Sequence, residues 1–373
     1  MGSCFICFDS GEAEALLALG CACRGESAYA HGACMASAAK QGNDNRKWST
    51  CQTCGLDYTG EMQMLLAMAH IQCVIDAGTA NDGVDDMISA TRDISFAMMK
   101  SGNYAMAEEL TRSTHDLFAS VLGDNSPDAL QERGNIAACM QSAGKFAEAD
   151  LIYADLIPTM RRVLGDDHRF TMSVRCNASQ GRVLRGGDDI AEAMDVVTKF
   201  TAKFGPNSPK TLSSQCTLVA VMVNAGFFTE AETTQVDTVE KMRRVLGGNH
   251  PDTVGARMNL AWVKFRVGKI DEALRLQTVL CVASEHLFGE ESMVALDGKF
   301  GLARMMWSTG VTDAKHGARD TMECISSTAV RLFGVDHPAS RRYTEFHAAM
   351  HPRSFFSSKA QKVVSEGPRK SSF

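Results

Sequence analysis

A Leu-Gly or Phe-Gly pair returns six times along this chain, at Leu122-Gly123, Leu164-Gly165, Phe204-Gly205, Leu246-Gly247, Phe288-Gly289 and Phe333-Gly334, in steps of 42, 40, 42, 42 and 45 residues. A second series runs in phase with it: Gly102, Gly144, Gly186, Gly226, Gly268 and Gly310. Self-similarity at this period excludes a single globular core. Each unit is one supersecondary element that must bury its apolar face against its neighbours. Between the landmarks each unit reads as a helix, a Gly-centred turn, a longer helix, and a loop such as GDNSPD or GGNHPD. The glycine after the first helix supplies the positive φ that ends it. Small residues at Ala107, Ala149, Ala193, Ala231 and Ala273 let the paired helices approach closely. Asp or Ser before proline stops the second helix, and the residues after that proline start the next.

The irregular steps have a physical reading. The 40-residue step shortens the second helix of the third unit by about one turn and adds two residues to its turn. The 45-residue step adds three residues near Lys315 to Gly317, and these are expected in a loop. The fold class is therefore mostly α, with an α-solenoid over most of the chain.

The segment HPDTVGARMNLAWVKFRVGKIDEA at 250–273 is the clearest unit, and with its Leu/Phe-Gly-x-x-His/Ser-Pro loop it resembles the tetratricopeptide repeat in the long form of kinesin light chains. HEAT and armadillo repeats share the length range but not the Gly-turn and Ala pattern. The resemblance covers about 84–335, with a last helix near 337–350 as cap, and implies a superhelix whose first helices line a groove for extended or helical peptides. In that family an asparagine on the first helix bonds the peptide backbone. The matching positions are Asn135, Asn177, Thr217, Asn259 and Gly301, three of which keep the amide. Trp262, Arg266 and Arg304 lie nearby on the last units and form a candidate aromatic and basic pocket for an acidic or carboxylate-bearing peptide.

The other informative feature is cysteine. Of 13, seven fall in the first 54 residues. Cys4-x2-Cys7, Cys21-x-Cys23, His31-x2-Cys34 and Cys51-x2-Cys54 supply eight N or S donors in four pairs, the number that two closed tetrahedral zinc sites require. Closed sites are structural, with no position left for a reacting water. A module of about 55 residues is near the size at which apolar burial alone becomes marginal, so two structural Zn2+ ions would supply what its core lacks. The other six, Cys73, Cys139, Cys176, Cys216, Cys281 and Cys324, stand singly in helical sequence and are expected to be buried small hydrophobes.

The order of four Cys, one His and three Cys is shared by RING-CH and PHD fingers. The single residue between Cys21 and Cys23 and the run CACRGESAYAHGAC resemble the RING-CH (RING-variant) pattern. That resemblance implies an interleaved cross-brace, with Cys4, Cys7, His31 and Cys34 on one zinc and Cys21, Cys23, Cys51 and Cys54 on the other. It also implies recruitment of a ubiquitin-conjugating enzyme, without catalysis by any side chain of the finger. Ile6 sits where these fingers place an apolar contact residue, and Trp48 is a second candidate contact that would otherwise pack the finger's core. The sequence departs from the family at Ala38, where many RING-CH fingers carry tryptophan, and at Gly55, where a basic residue is common.

These readings divide the chain into a finger (1–58), a helical connector (59–83, its helix at 61–77), a repeat array (84–350) and a disordered basic tail (351–373). Within the connector, His70 and Cys73 are spaced like a metal pair but are expected in the core. Thirty-eight basic against 44 acidic residues give a net charge of -6, so no global positive field favours nucleic acid. The apolar windows at 62–74 and 217–228 fall short of the roughly 20 residues of a membrane span. The start of the chain lacks a basic segment leading into an apolar one, which sets the expectation at cytosol or nucleus. The expected function is a RING-CH-type ubiquitin ligase whose repeats bind substrate or adaptor peptides. The alternatives are a non-catalytic scaffold and a PHD-like chromatin reader.

Overall fold

A computed structural model describes residues 3–350 apart from 10–14, 20, 22, 24, 42–44, 56, 59, 78–82 and 101. The basic tail and most of the short hinge between finger and array lie outside the described residues. The chain divides into two compact units, 1–181 and 182–373, and the division falls inside a helix.

In the first unit, β1 (Leu16–Ala18) pairs antiparallel with β2 (Tyr29–His31), and α1 (Gly32–Lys40) follows directly. One-turn 3-10 helices cover Gly25–Ala28 and Asn45–Trp48. Then come α2 (Gly60–Ala77), α3 (Gly83–Lys100), α4 (Tyr104–Leu122), α5 (Pro127–Ser142), α6 (Phe146–Val163) and α7 (Arg169–Leu184), which crosses into the second unit. The second unit continues with α8 (Ile190–Phe204), α9 (Pro209–Asn224), α10 (Phe228–Val245), α11 (Pro251–Val267), α12 (Ile270–Phe288), α13 (Met293–Ser308), α14 (Thr312–Phe333) and α15 (Pro338–Ala349). No described helix is long and apolar enough to cross a membrane.

The expected connector helix is present, but it is also a wall of the finger's core. Met62 and Leu66 of α2 are fully buried among Leu19, Met35, Trp48 and Tyr58. Gly32 makes the approach feasible, since a Cβ there would fall 2.3 Å from Leu65 Cδ1. A finger of about 55 residues thus borrows a helix to complete its core.

Within each unit, helices pack on their sequence neighbours in a repeated, solenoid-like way, and in the second unit the first helices α9, α11 and α13 also touch in succession. The small residues at the helix crossings are all buried: Ala107 0%, Ala149 1%, Ala193 3%, Ala231 0% and Ala273 0%. In the second unit, the second helices α10 and α12 also bond the next repeat. Gln235 Nε2 donates to the Ala256 carbonyl at 2.7 Å, and one period later Gln277 Nε2 donates to Gly298 at 2.8 Å. Glu232 accepts from Lys264 and Lys269, as Glu108 in the first unit accepts from Arg112 and Lys145.

Three expectations need correction. The second helix of a repeat ends at the Leu/Phe-Gly pair, and the residue before proline caps the following helix. Ser126 accepts from the third residue on and Nδ1 of His250 and His337 from the second, while Ser292, which precedes Met293 rather than a proline, caps α13 as Ser126 caps α5. The deletion does shorten α8, to 15 residues against 18 in α6 and α10. The three-residue insertion, however, lengthens α14 to 22 residues rather than enlarging a loop, because three residues come close to one helical turn. Finally, Cys324 is exposed and Cys73 and Cys216 are only half-buried, so buried packing accounts for Cys139, Cys176 and Cys281 alone.

The two glycine series differ in kind. Gly268 lies in the left-handed region at φ 97°, ψ 5°, which asparagine tolerates. Gly289, at φ 89°, ψ 148°, lies where essentially only glycine goes. No atom lies within 4 Å of a Cβ built on either. Gly289→Ala should therefore cost about 1–3 kcal/mol through backbone strain alone, and Gly268→Asn distinctly less. Denaturant unfolding of the two variants checks the order.

Candidate metal centres and the face of the repeats

The first cluster is assembled from three pieces of chain. Cys4 and Cys7 sit on a turn closed by Phe8 N–H to Cys4 O at 2.8 Å and tied to β2 by Phe5 N–H to Tyr29 O at 3.2 Å. His31 ends β2 and Cys34 lies in the first turn of α1. His31 Nδ1 stands 3.3 Å from Cys7 Sγ and 3.8 Å from Cys34 Sγ. The second cluster takes Cys21 and Cys23 from the chain after β1 and Cys51 and Cys54 from the turn after Trp48, with Cys23 Sγ 3.6 Å from Cys51 Sγ. In each group the four donor atoms lie within 4.8 Å of one another.

These donors fit zinc. Bonds of about 2.3 Å to sulfur and about 2.0–2.1 Å to nitrogen in a tetrahedron place donors roughly 3.6–3.8 Å apart, which the observed separations bracket. The electrostatics of the bare sites point the same way. Burial opposes ionisation of Cys4, but backbone N–H groups of Cys7, His31 and Ile6 outweigh it and hold the thiol down to about 6. Cys51 is likewise buried, yet the backbone N–H groups of Cys54 and Thr53 lower it to about 7. Burial and neighbouring thiols push Cys23 up to about 11 and Cys34 up to about 12, and Cys21 higher still. Thiols this crowded cannot all ionise without a cation among them. Cys4, Cys7, His31 and Cys34 would hold one Zn2+, and Cys21, Cys23, Cys51 and Cys54 the other. The metal would supply folding energy, since all four positions of each site are filled by protein donors.

On the repeats, Asn135 is half-buried and donates to Glu132 Oε2 at 3.1 Å. Asn177 is half-buried and Asn259 exposed, and neither amide has a partner among the described residues. At the two positions that lack asparagine, Thr217 is buried and turned onto the Ser213 carbonyl, and a Cβ at Gly301 would come within 3.1 Å of Gln277 Nε2. Trp262, Arg266 and Arg304 are brought together, with the Arg304 guanidinium 4.3 Å from the centre of the Trp262 ring and that of Arg266 at 5.9 Å.

Comparison with known proteins agrees with both halves of this geometry. Residues 4–54 match the RING-variant domain, and residues 133–169 and 211–252 match the tetratricopeptide repeat. Residues 4–54 are a RING-variant domain, and tetratricopeptide repeats lie within residues 133–252. Among solved structures, a Podosopora anserina protein with nearly identical kinesin-light-chain TPR-like repeats is similar at 18% identity, covering 54% of this chain and 95% of that one, with a TM-score of 0.43. BtubC (BKLC) from P. vanneervenii is similar at 15% identity over 59% of this chain and 91% of that one, with a TM-score of 0.45. A Rap protein complexed with competence and sporulation factor reaches a TM-score of 0.50 at 8% identity, covering 79% and 90%. No curated protein matches the sequence significantly.

The two residues expected to meet a conjugating enzyme fare differently. Ile6, between the first two ligands of the RING-variant domain, stays half-exposed. Trp48 does not present a surface: it is 5% exposed and stacks on His70 of α2, with ring centres 4.8 Å apart and planes 7° from parallel. His70 in turn bonds Asp93 Oδ2 of α3 through Nδ1 at 3.1 Å. His70 thus packs on Trp48 and bonds Asp93, fastening the finger to the first helices, and neither His70 nor Cys73 belongs to a donor cluster among the described residues. Sequence reasoning overlooked Phe8, which is 79% exposed and held at φ 64°, and nothing in the spacing of the ligands signals that conformation.

Excess chelator should unfold the finger, since structural zinc contributes on the order of 10–16 kcal/mol at neutral pH. The near-ultraviolet circular dichroism of the stacked Trp48 should be lost and should return with zinc. Because Cys23 and Cys34 titrate far above neutrality in the bare sites, zinc binding at pH 7 should release protons and tighten as pH rises. Calorimetry in two buffers of different ionisation enthalpy measures that release.

Proposed function

We propose that the protein is a RING-CH-type ubiquitin ligase in which the finger recruits a charged ubiquitin-conjugating enzyme and the repeats bind substrate or adaptor peptides. The observation that carries the reading is the RING-variant match over 4–54 together with two complete, interleaved donor sets. Ubiquitin transfer by such a finger needs no acid, base or nucleophile from it. It needs a rigid surface that holds the thioester ready for a lysine, and zinc supplies rigidity where the core is small. Ile6 would anchor the conjugating enzyme, and the exposed Phe8 beside it extends the apolar surface. On the repeats, Asn177 and Asn259 offer unpartnered amides suited to sequence-tolerant bonds with a peptide backbone. Reduced thiols and zinc ligation suit the cytosol or nucleus.

A non-catalytic scaffold is the second reading. It is favoured by Ala38, small and exposed where related fingers carry tryptophan, by Gly55 in place of a basic residue, and by the burial of Trp48. A PHD-like chromatin reader has no such support, since the family match is to the RING-variant domain.

Autoubiquitination with a panel of charged conjugating enzymes separates the two. The ligase reading expects ubiquitin chains with at least one enzyme, abolished by Cys51→Ala and reduced about tenfold or more by Ile6→Ala, as for removal of an apolar hot spot. A zinc-loaded protein inactive with every conjugating enzyme would establish the scaffold instead.

A further inference from the structure

The two metal centres are built alike but are not equally protected. Each contains a Cys-x2-Cys turn closed by the same backbone bond, Phe8 N–H to Cys4 O and Gly55 N–H to Cys51 O, both at 2.8 Å. The residue after the second ligand of each turn is left-handed, at φ 64° in Phe8 and 71° in Gly55. Glycine takes that conformation freely, whereas for a bulky side chain it is an outlier. The first turn therefore stores strain that the second does not.

Exposure differs in the same sense. In the second cluster Cys21, Cys23 and Cys51 are buried and Cys54 is half-buried, while in the first Cys7 is exposed. Coordination by a metal keeps a thiol ionised. Oxidation follows thiolate character and exposure, and proceeds furthest beside a second thiol that can resolve the first product. Cys7 meets all three conditions. The Sγ atoms of Cys4 and Cys34 lie within 4.8 Å of its own, so a small approach closes a bond of about 2.05 Å.

We propose that Cys7 is a peroxide-reactive site whose oxidation opens the first metal centre and leaves the second intact. Attack of the Cys7 thiolate on hydrogen peroxide forms an S–O bond, breaks the O–O bond and yields a sulfenic acid and hydroxide. The thiolate of Cys4 or Cys34 then attacks that sulfur, so that an S–S bond forms, the S–O bond breaks and a second hydroxide leaves. In all, two thiolates give up two electrons, which reduce one peroxide. The first centre is left with His31 and one cysteine, too few donors for a closed tetrahedral site. A dithiol reductant with zinc reverses the change. Ile6 stands between Cys4 and Cys7, so the oxidised finger presents a different surface there. The proposal depends on the two donor clusters holding zinc and not on ubiquitin transfer.

The test uses the full chain loaded with zinc, with Cys324→Ser to remove the exposed thiol of α14. Hydrogen peroxide is added in the presence of a weak chromogenic zinc indicator that leaves the unoxidised protein loaded. One zinc ion per molecule should be released at least tenfold faster than the second. At the end of that first phase, native mass spectrometry should show a one-zinc species. Differential alkylation should find Cys7 in a disulfide, identify Cys4 or Cys34 as its partner, and find Cys21, Cys23, Cys51 and Cys54 still reduced. Dithiothreitol with added zinc should restore the two-zinc form. Release of both ions at one rate would overturn the proposal, as would a first disulfide in the second cluster or a reduced Cys7 after one ion has left. Retention of both ions at peroxide concentrations that oxidise free glutathione in the same solution would overturn it too.

Discussion

The convergence of eight soft donors at two points is the constraint on which the finger, and through it the first helices, depends. With Cys4 and Cys51 ready to ionise and Cys21, Cys23 and Cys34 resisting, the bare clusters are electrostatically frustrated. A divalent cation resolves the conflict by ionising all of them at once. Interleaving matters as much as the count. Each zinc draws one ligand pair from each half of the segment, so neither half can leave without breaking both sites. The outer layer follows from this, with Trp48 held just before Cys51 and pressed on His70, and His70 on Asp93. The same chain of contacts that completes a small core also fixes the finger to α2 and α3.

The helical part obeys a different constraint. Each repeat needs the chain to reverse twice, and both reversals are made by backbone conformations that side chains disfavour. Between those points the sequence is free to vary provided that a small residue stands at the crossing and volume is kept. Thr111, Tyr153, Gln235 and Gln277 occupy one equivalent buried position. The polar ones among them do different work: the glutamines bond the next repeat, and Thr111 bonds its own helix at Ala107.

Much of this was legible in the sequence, because the signals were ones of spacing. Glycine periodicity and ligand pairs report backbone geometry and coordination directly, and both clusters and both glycine series stand where the spacing put them. What escaped was what depends on packing between elements. Residues 61–77 read as a helix, but nothing in its own pattern says that Met62 and Leu66 face the finger. Trp48 has the same letter whether it meets a partner or His70. The three-residue insertion was expected in a loop because insertions usually go there, and the near match to one helical turn made extension of α14 the better solution. The pairing of Trp262 with Arg304 was suggested by their spacing on neighbouring repeats, but the 4.3 Å approach of the guanidinium to the ring is a property of the folded chain.

The two ends of the protein thus present different chemistries. The finger offers an apolar surface around Ile6 and Phe8, and the repeats of the second unit offer a face of cations and aromatic rings. Both presuppose that the finger is built by metal, and that premise is open to a direct count. Native mass spectrometry of the full chain should show two zinc ions per molecule, and Cys51→Ala should retain one at most. A folded finger carrying no zinc, or one whose zinc content does not change on loss of Cys51, would contradict the account.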